Sequence, residues 1–307
     1  MTAALNRAKS AILPGVPKQS HSSRPLTVSI VGPGNLGTAL ALTLPSAGYV
    51  VKFIAARAKG ITSRETTCLA RRVKARLVTL GKEPLDSDLI WITVPDDAIA
   101  ATALRLARTQ DWQGKIVFHS SGALTSDDLA PLREQGAKVA SVHPGMTFVR
   151  GPAPQMLGVA FAVEGDPAAT RLAKRIVADF GGTTYAINKR NKVLYHAFGS
   201  FASPLVIALM ASLERVAKAA GIEHDDVKAM MLPLLRQTLR NYFQHDAASA
   251  FSGPLARGDV ATVRRHLEEL KAVPEARAVY IALANAAAKN LPVKNRKAMQ
   301  RELKSRE

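Results

Sequence analysis

The stretch TVSIVGPGNLGTALALTLPSAGYVVKFIAARAKG, Thr27 to Gly60, decides how the chain is to be read. An apolar run, Thr27–Val31, enters Gly32-Pro33-Gly34-Asn35-Leu36-Gly37, which fits G-x-G-x-x-G and opens an apolar helical pattern. A second apolar run, Val50–Ala55, follows. Strand, glycine turn, helix and strand in this order are the first half of a dinucleotide-binding unit. Each glycine has a task there: Gly32 permits the tight turn, Gly34 lets backbone approach a pyrophosphate, and Gly37 lets helix and strand pack closely. Asn35 and Leu36 complete the turn at the helix N-terminus, where free N–H groups and the positive end of the dipole favour phosphate.

The second half of the stretch lacks what such units usually carry. An acidic residue about twenty positions past the turn would accept from the ribose 2′-OH of NAD. From Thr38 to Arg64 there is no Asp or Glu, and Arg57 ends the second strand, with Lys59 and Arg64 just beyond. A carboxylate there would repel a 2′-phosphate, whereas a guanidinium can pair with it through two charge-assisted hydrogen bonds. NADP(H) is the expected cofactor.

Apolar runs recur at Leu89–Val94, Lys115–His119, Lys138–His143, Gly158–Val163 and Thr183–Ile187, with helix-like segments between them. Most are apolar on both sides, as strands covered by helices on both faces must be. The fold class is therefore α/β, a doubly wound Rossmann-like parallel sheet followed by an all-helical domain. The helical part begins with one long pattern, Arg190 to about Gly221, broken near Ser203 by Pro204, and continues over Asp225–Phe243, Val260–Leu270 and Pro274–Lys289. The expected domains are a disordered basic tail (1–25), a dinucleotide-binding domain (26–188), a helical domain (189–290) and a basic tail, helical or frayed (291–307).

With 307 residues the chain can bury large cores, and Cys68, its only cysteine, excludes an intrachain disulfide and a cysteine metal site. A reducing, cytoplasmic setting is the plain expectation, with no metal. No uninterrupted apolar run reaches the ~18 residues of a bilayer span, so no membrane association is expected. The formal net charge of +18 is spread over both tails and Arg57–Lys82. No nucleic-acid recognition motif accompanies it, so a nucleic-acid partner is not expected. Residues 1–25 share the acid-free, Ser- and Arg-containing composition of organelle transit peptides, but a disordered tail is the simpler reading.

Ligands of open α/β sheets bind beyond the carboxyl ends of the strands. Val94-Pro95 would wall the cofactor, and the small residues Ser120, Ser121 and Gly122 would allow close approach of nicotinamide and substrate. His143 stands at a strand end, and His196 lies one helical turn after Lys192; either imidazole could supply a proton. In the helical part, Asn241 and Arg257 are candidates for contacting an anionic substrate, with Asp259 as a helix N-cap.

The turn Gly32–Gly37 with VPDDAI (Val94–Ile99), HSSGAL (His119–Leu124), HPGMTF (His143–Phe148), YHAFGSFAS (Tyr195–Ser203) and SGPLARGD (Ser252–Asp259) resembles a family of predicted NADP-dependent oxidoreductases. Its members join a Rossmann-like domain to a C-terminal helical domain of unknown function. The family is similar in architecture to pyrroline-5-carboxylate reductase, ketopantoate reductase and 6-phosphogluconate dehydrogenase. The resemblance covers about residues 26–285. The expected activity is hydride transfer to or from a small, anionic carbonyl, imine or hydroxy acid, with Ser121, His143 or His196 in catalysis; the resemblance implies a homodimer joined through the helical domain.

The chain departs from these patterns in three places: Pro204 follows Ser203 where the family has asparagine, Ser252 replaces threonine, and Lys192-x-x-x-His196 stands in place of the Lys-x-x-x-Asn of β-hydroxyacid dehydrogenases. Loss of that asparagine leaves open a non-catalytic NADP(H)-binding sensor or scaffold. The cofactor expectation rests on Arg57, so Arg57→Asp should weaken NADPH binding roughly 10- to 100-fold more than NADH binding in fluorescence titrations. Equal losses for both cofactors would refute it.

Overall fold

The structure, a computed structural model, describes residues 24–58 and 63–305. The expected N-terminal tail up to residue 23, and Lys59, lie outside these residues. The chain divides after His196 into two compact units.

The first unit is built on one eight-stranded sheet in the order β3-β2-β1-β4-β5-β6-β7-β8. The strands are β1 (Thr27–Val31), β2 (Val50–Ala56), β3 (Arg76–Thr79), β4 (Leu89–Ile92), β5 (Ile116–His119), β6 (Lys138–Pro144), β7 (Ala160–Gly165) and β8 (Thr183–Ala186). Helices α1 (Asn35–Thr43), α2 (Arg64–Arg72), α3 (Asp96–Ala107), α4 (Ala130–Glu134) and α5 (Pro167–Asp179) connect them. All four residues of LIWI in β4 are buried. Alternate side chains of this strand go to opposite layers: Leu89 and Trp91 join Ile30, Leu40, Phe118 and Ile176, while Ile90 and Ile92 join Val31, Ile99, Leu106 and Val117. That division is why the strands read as continuous apolar runs and not as alternating ones. The strand order reverses between β1 and β4, which pair in parallel. Such a reversal opens a crevice beyond the strand ends.

Two features of the sheet differ from the sequence reading. Strand β3 adds an edge that was not expected, because Arg76–Thr79 is short, flanked by cations and buried only at Val78. Strand β7 runs antiparallel to β6. Residues 145–159 contain no helix, and only a parallel pair requires a helical crossover.

The long helical pattern divides as expected at Ser203, whose backbone (φ −134°, ψ −83°) leaves the helix between α6 (Lys192–Ala202) and α7 (Pro204–Ala219). The second unit continues with α8 (His224–Gln244), α9 (Val260–Glu269), α10 (Pro274–Asn290) and α11 (Arg296–Lys304). The segment from residue 291, read as a tail, is corrected: Met299 and Leu303 of α11 are fully buried with Val263, Leu267, Ile281 and Ala284. Burying each such side chain is worth about 1.5–3 kcal/mol, which outweighs the basic character of the segment. Arg264 also pairs with Glu302 at 2.8 Å.

A second correction concerns apolar length. Lys189–Ala219 contains a window of mean hydropathy 1.6, long and apolar enough to cross a membrane by length and composition, and none of that window is buried. Counting uninterrupted apolar runs missed it, because polar residues punctuate the stretch.

Candidate functional site

The glycine turn is as tight as its motif requires. Gly32 has φ +93°, and a Cβ there would lie 2.8 Å from Val94 Cγ1. A Cβ on Gly37 would lie 2.4 Å from the Gly32 carbonyl oxygen, which accepts a 2.7 Å hydrogen bond from Thr93 Oγ1. Gly34 has nothing within 4 Å of its absent side chain, so its face is open. It precedes α1 without a side-chain cap, and the first turn carries no acid. The N–H groups of that turn are therefore left to an anion. Asn35 Nδ2 donates to the Phe148 carbonyl at 3.0 Å, which ties the turn to the loop after β6. Leu36 packs against the core beside it.

Arg57 is exposed one residue past β2, with no carboxylate partner among the described residues. Arg64 is exposed at the start of α2. Val94 and Pro95 form the turn from β4 into α3, with Pro95 as the N-cap residue. The cofactor candidates thus occupy the carboxyl ends of three adjacent strands, β2, β1 and β4.

The loop after β5 is held from inside. His119 is fully buried. Its Nε2 donates to the Thr125 carbonyl at 2.9 Å, and its Nδ1 accepts from Ser121 N at 3.1 Å. Burial pushes this imidazole down to about 4, so it is neutral and both nitrogens are committed. Ser121 Oγ donates to Asp96 Oδ2 at 2.7 Å and accepts from the backbone of Ala123 and Leu124 at 3.1 and 2.9 Å. Its proton and both lone pairs are used, so the geometry gives Ser121 a loop-building task in place of the expected catalytic one. Ser120 accepts from Trp91 Nε1 at 2.8 Å.

Lys192, absent from the sequence-derived site set, is only 1% exposed. Its Nζ donates to Ser121 O at 2.9 Å and to Ser141 Oγ, joining the β5 loop, strand β6 and the start of α6. Burial lowers its pKa to about 8, against the opposing pull of Glu164, Asp96 and Asp128. One turn later, Tyr195 Oη lies 2.9 Å from His143 Nδ1. His196 is exposed, with its ring centroid 6.3 Å from that of His143. Gly122 makes room for both rings, since a Cβ there would lie 2.8 Å from His143 Nε2 and 2.8 Å from His196 Cδ2. The structure therefore brings His143, His196, Lys192 and Tyr195 around the Ser120–Gly122 loop. The sequence signal for Lys192 and Tyr195 was their i, i+4 and i, i+1 spacing to His196. That spacing does not say which face of the helix meets the sheet.

Asn241 and Arg257 belong to the second unit. Asn241 Oδ1 accepts from Gln237 at 2.6 Å on α8. Arg257 is exposed before Gly258, whose φ is +68°. Asp259 accepts from Thr262 N at 3.0 Å as the N-cap of α9.

His119 implies a pH dependence of folding. Its folded pKa is depressed, so the unfolded chain binds more protons between about pH 6.5 and 4, and stability falls as pH drops through that window. The loss is at most roughly 3 kcal/mol. Denaturant unfolding at pH 7 and 4.5 should show it, and His119→Asn should flatten the difference while lowering stability at pH 7. An unchanged slope in the variant would contradict the buried neutral assignment.

Comparison with known proteins agrees with this layout. Residues 13–144 match the family model for a Rossmann-like domain, and residues 159–287 match that for a domain of unknown function, DUF2520. No curated protein matches the chain. Among solved structures, a candidate NADP oxidoreductase from Bacteroides fragilis aligns over 86% of this chain and 98% of its own, with TM-score 0.68 and 19% identity. An imine reductase from a Pseudomonas species aligns over 91% and 99%, with TM-score 0.60 and 20% identity. A pyrroline carboxylate reductase from Plasmodium falciparum, solved with NADP bound, aligns over 92% and 97%, with TM-score 0.55 and 14% identity. At these identities the likeness is one of fold. The glycine turn on a doubly wound sheet and the helices that follow it place the chain among proteins that join a Rossmann-like domain to the DUF2520 domain.

Proposed function

We propose that the chain is an NADP(H)-dependent oxidoreductase acting on a small, anionic carbonyl, imine or hydroxy-acid substrate, in a cytoplasmic setting. The observation that carries this reading is the open, uncapped glycine turn with Arg57, and no acid, at the neighbouring strand end. Gly32, Gly34, Asn35, Leu36 and Gly37 would hold the pyrophosphate, Arg57 the 2′-phosphate, and Val94, Pro95 and Ser120 would flank the nicotinamide end. The residues present fit such a group: Gly34 leaves an open approach to the free N–H groups of α1, and the guanidinium supplies the counter-charge. Bound NADPH supplies a hydride. This chain's own residues must orient the acceptor and deliver a proton, and His143 and His196 face that task beside Gly122. Asn241 and Arg257 are the candidates for binding an anionic group of the substrate. The NADP oxidoreductase, imine reductase and NADP-bound reductase named above support the assignment by their shared fold.

The helix break at Ser203–Pro204 favours a second reading, a non-catalytic NADP(H)-binding sensor or scaffold. The two part in one experiment: bind NADPH, then follow nicotinamide absorbance against 2-oxo acids, cyclic imines and ketopantoate-like acids. Turnover of one class is the expected result, with His196→Ala reducing it about 10²–10⁴-fold. Tight NADPH binding with no turnover across the panel selects the sensor reading, and no NADPH binding overturns both.

We further propose that the chain works as a homodimer through its helical part. Phe198, Phe201, Ile207, Leu234 and Phe243 on α6, α7 and α8 are each 65–70% exposed. Apolar surface of this extent marks an interface. Sedimentation velocity should give a dimer, and Phe201→Asp with Ile207→Asp a monomer. A monomeric wild type, or one that partitions into lipid vesicles, would refute the dimer.

A further inference from the structure

His143 has two ring nitrogens with different surroundings. Nδ1 lies 2.9 Å from Tyr195 Oη. Nε2 has no hydrogen-bond partner among the described residues, and since none of their fully buried side-chain nitrogens or oxygens is left unpaired, it keeps some exposure to solvent. It packs against Gly122, whose lack of a side chain makes room for the ring.

The chemistry of this hydrogen bond favours one tautomer. A phenol oxygen is a good donor and a poor acceptor, and a neutral imidazole nitrogen with a free lone pair is a good acceptor. Tyr195 has no other hydrogen-bond partner among the described residues, so giving its proton to Nδ1 is the arrangement that satisfies both groups. Burial raises the Tyr195 pKa and keeps that proton on the phenol. The groups that bear on the imidazole are Lys192, Tyr195 and His196 on α6, Asp96 on α3 and His119 on β5. Burial first, then the charges of Lys192 and His196, push His143 down to about 4, and the Asp96 carboxylate offsets only part of this. The ring is therefore neutral, with its proton on Nε2.

We propose that Tyr195 is a positioning residue that locks His143 in the Nε2–H tautomer. His143 is thereby a neutral hydrogen-bond donor to an acceptor atom of the substrate, a carbonyl or carboxylate oxygen seated beside Gly122. The substrate role rests on the oxidoreductase reading, whereas the tautomer does not. One consequence narrows the chemistry. Losing its Nε2 proton would leave His143 as an imidazolate or, if Tyr195 passed its proton to Nδ1, a half-buried tyrosinate whose pKa burial raises; both are out of reach near neutral pH. His143 therefore orients and polarises the acceptor, and the transferred proton comes from another group, with exposed His196 the neighbour placed to supply it. A neutral imidazole donor also avoids placing a second cation beside Lys192.

The test uses the full-length protein labelled with ¹⁵N-histidine, without cofactor or substrate. Two-bond ¹H–¹⁵N spectra are recorded from pH 5 to 8, and His143 is assigned by its loss in His143→Gln. The expected pattern is a pyrrole-like Nε2 and a pyridine-like Nδ1 that do not change over this range. In Tyr195→Phe, which keeps the ring and its packing, the pattern should shift toward a mixture of tautomers. With a substrate in hand, Tyr195→Phe should lower kcat/KM about tenfold, the worth of one net hydrogen bond, and leave the shape of the pH profile unchanged. His196→Ala should lower kcat far more than Tyr195→Phe does. An Nδ1–H pattern, an imidazolium titrating between pH 5 and 8, or no change in Tyr195→Phe would overturn the proposal. If NADPH fails to bind while the tautomer stands, the oxidoreductase reading fails and the Tyr195–His143 lock survives.

Discussion

Both faces of the eight-stranded sheet are sealed by apolar layers, and that constraint dictates where chemistry can occur. A strand such as β4, buried along its whole length, offers no place for a charge or an open hydrogen-bonding group. Exposed polar side chains collect where the strands end and the backbone turns into a loop. The glycine turn after β1, Arg57 after β2, Val94-Pro95 after β4, His119–Gly122 after β5 and His143 on β6 all lie there. The candidate site follows the topology: it gathers at the strand ends around the order reversal at β1 and β4.

Within that rim, the buried polar groups hold one another and so define which groups remain available. Lys192 spends two of its donors on Ser121 O and Ser141 Oγ. Ser121 spends its hydroxyl on Asp96 and the loop backbone, and His119 uses both nitrogens. An unpaired partner in such a network would cost the full desolvation of the group, about 1–3 kcal/mol or more for a charge. What is left over is informative because so much else is satisfied. His143 Nε2 is what remains without a partner among the described residues. Their own burial, helped by the nearby charge of Lys192, keeps His119 and His143 neutral.

Much of this was legible before any coordinates. The glycine turn, seven of the eight strands, the break at Ser203 and the Asp259 cap follow from local rules of periodicity and backbone freedom. Strand β3 was not legible, because four residues among cations carry too little apolar signal. The antiparallel β7 was not legible either, since direction is set by the path of the 145–159 connection and not by the strand's own residues. Residues 291–307 looked like a tail because charge dominates their composition. Two buried side chains one turn apart, Met299 and Leu303, make them part of the second core.

The amino-acid sequence by itself determined the dinucleotide-binding unit and its order of elements, because these depend on residues that are neighbours along the chain. It also determined the positive charge that stands at Arg57. Tertiary structure alone decided what the functional groups are free to do. Ser121, His119 and Lys192 are committed by partners from 2 to 71 residues away. Tyr195 finds His143 across 52 residues. Protonation, tautomer and availability depend on burial and on who stands within about 3 Å, and neither is written in the local order of residues.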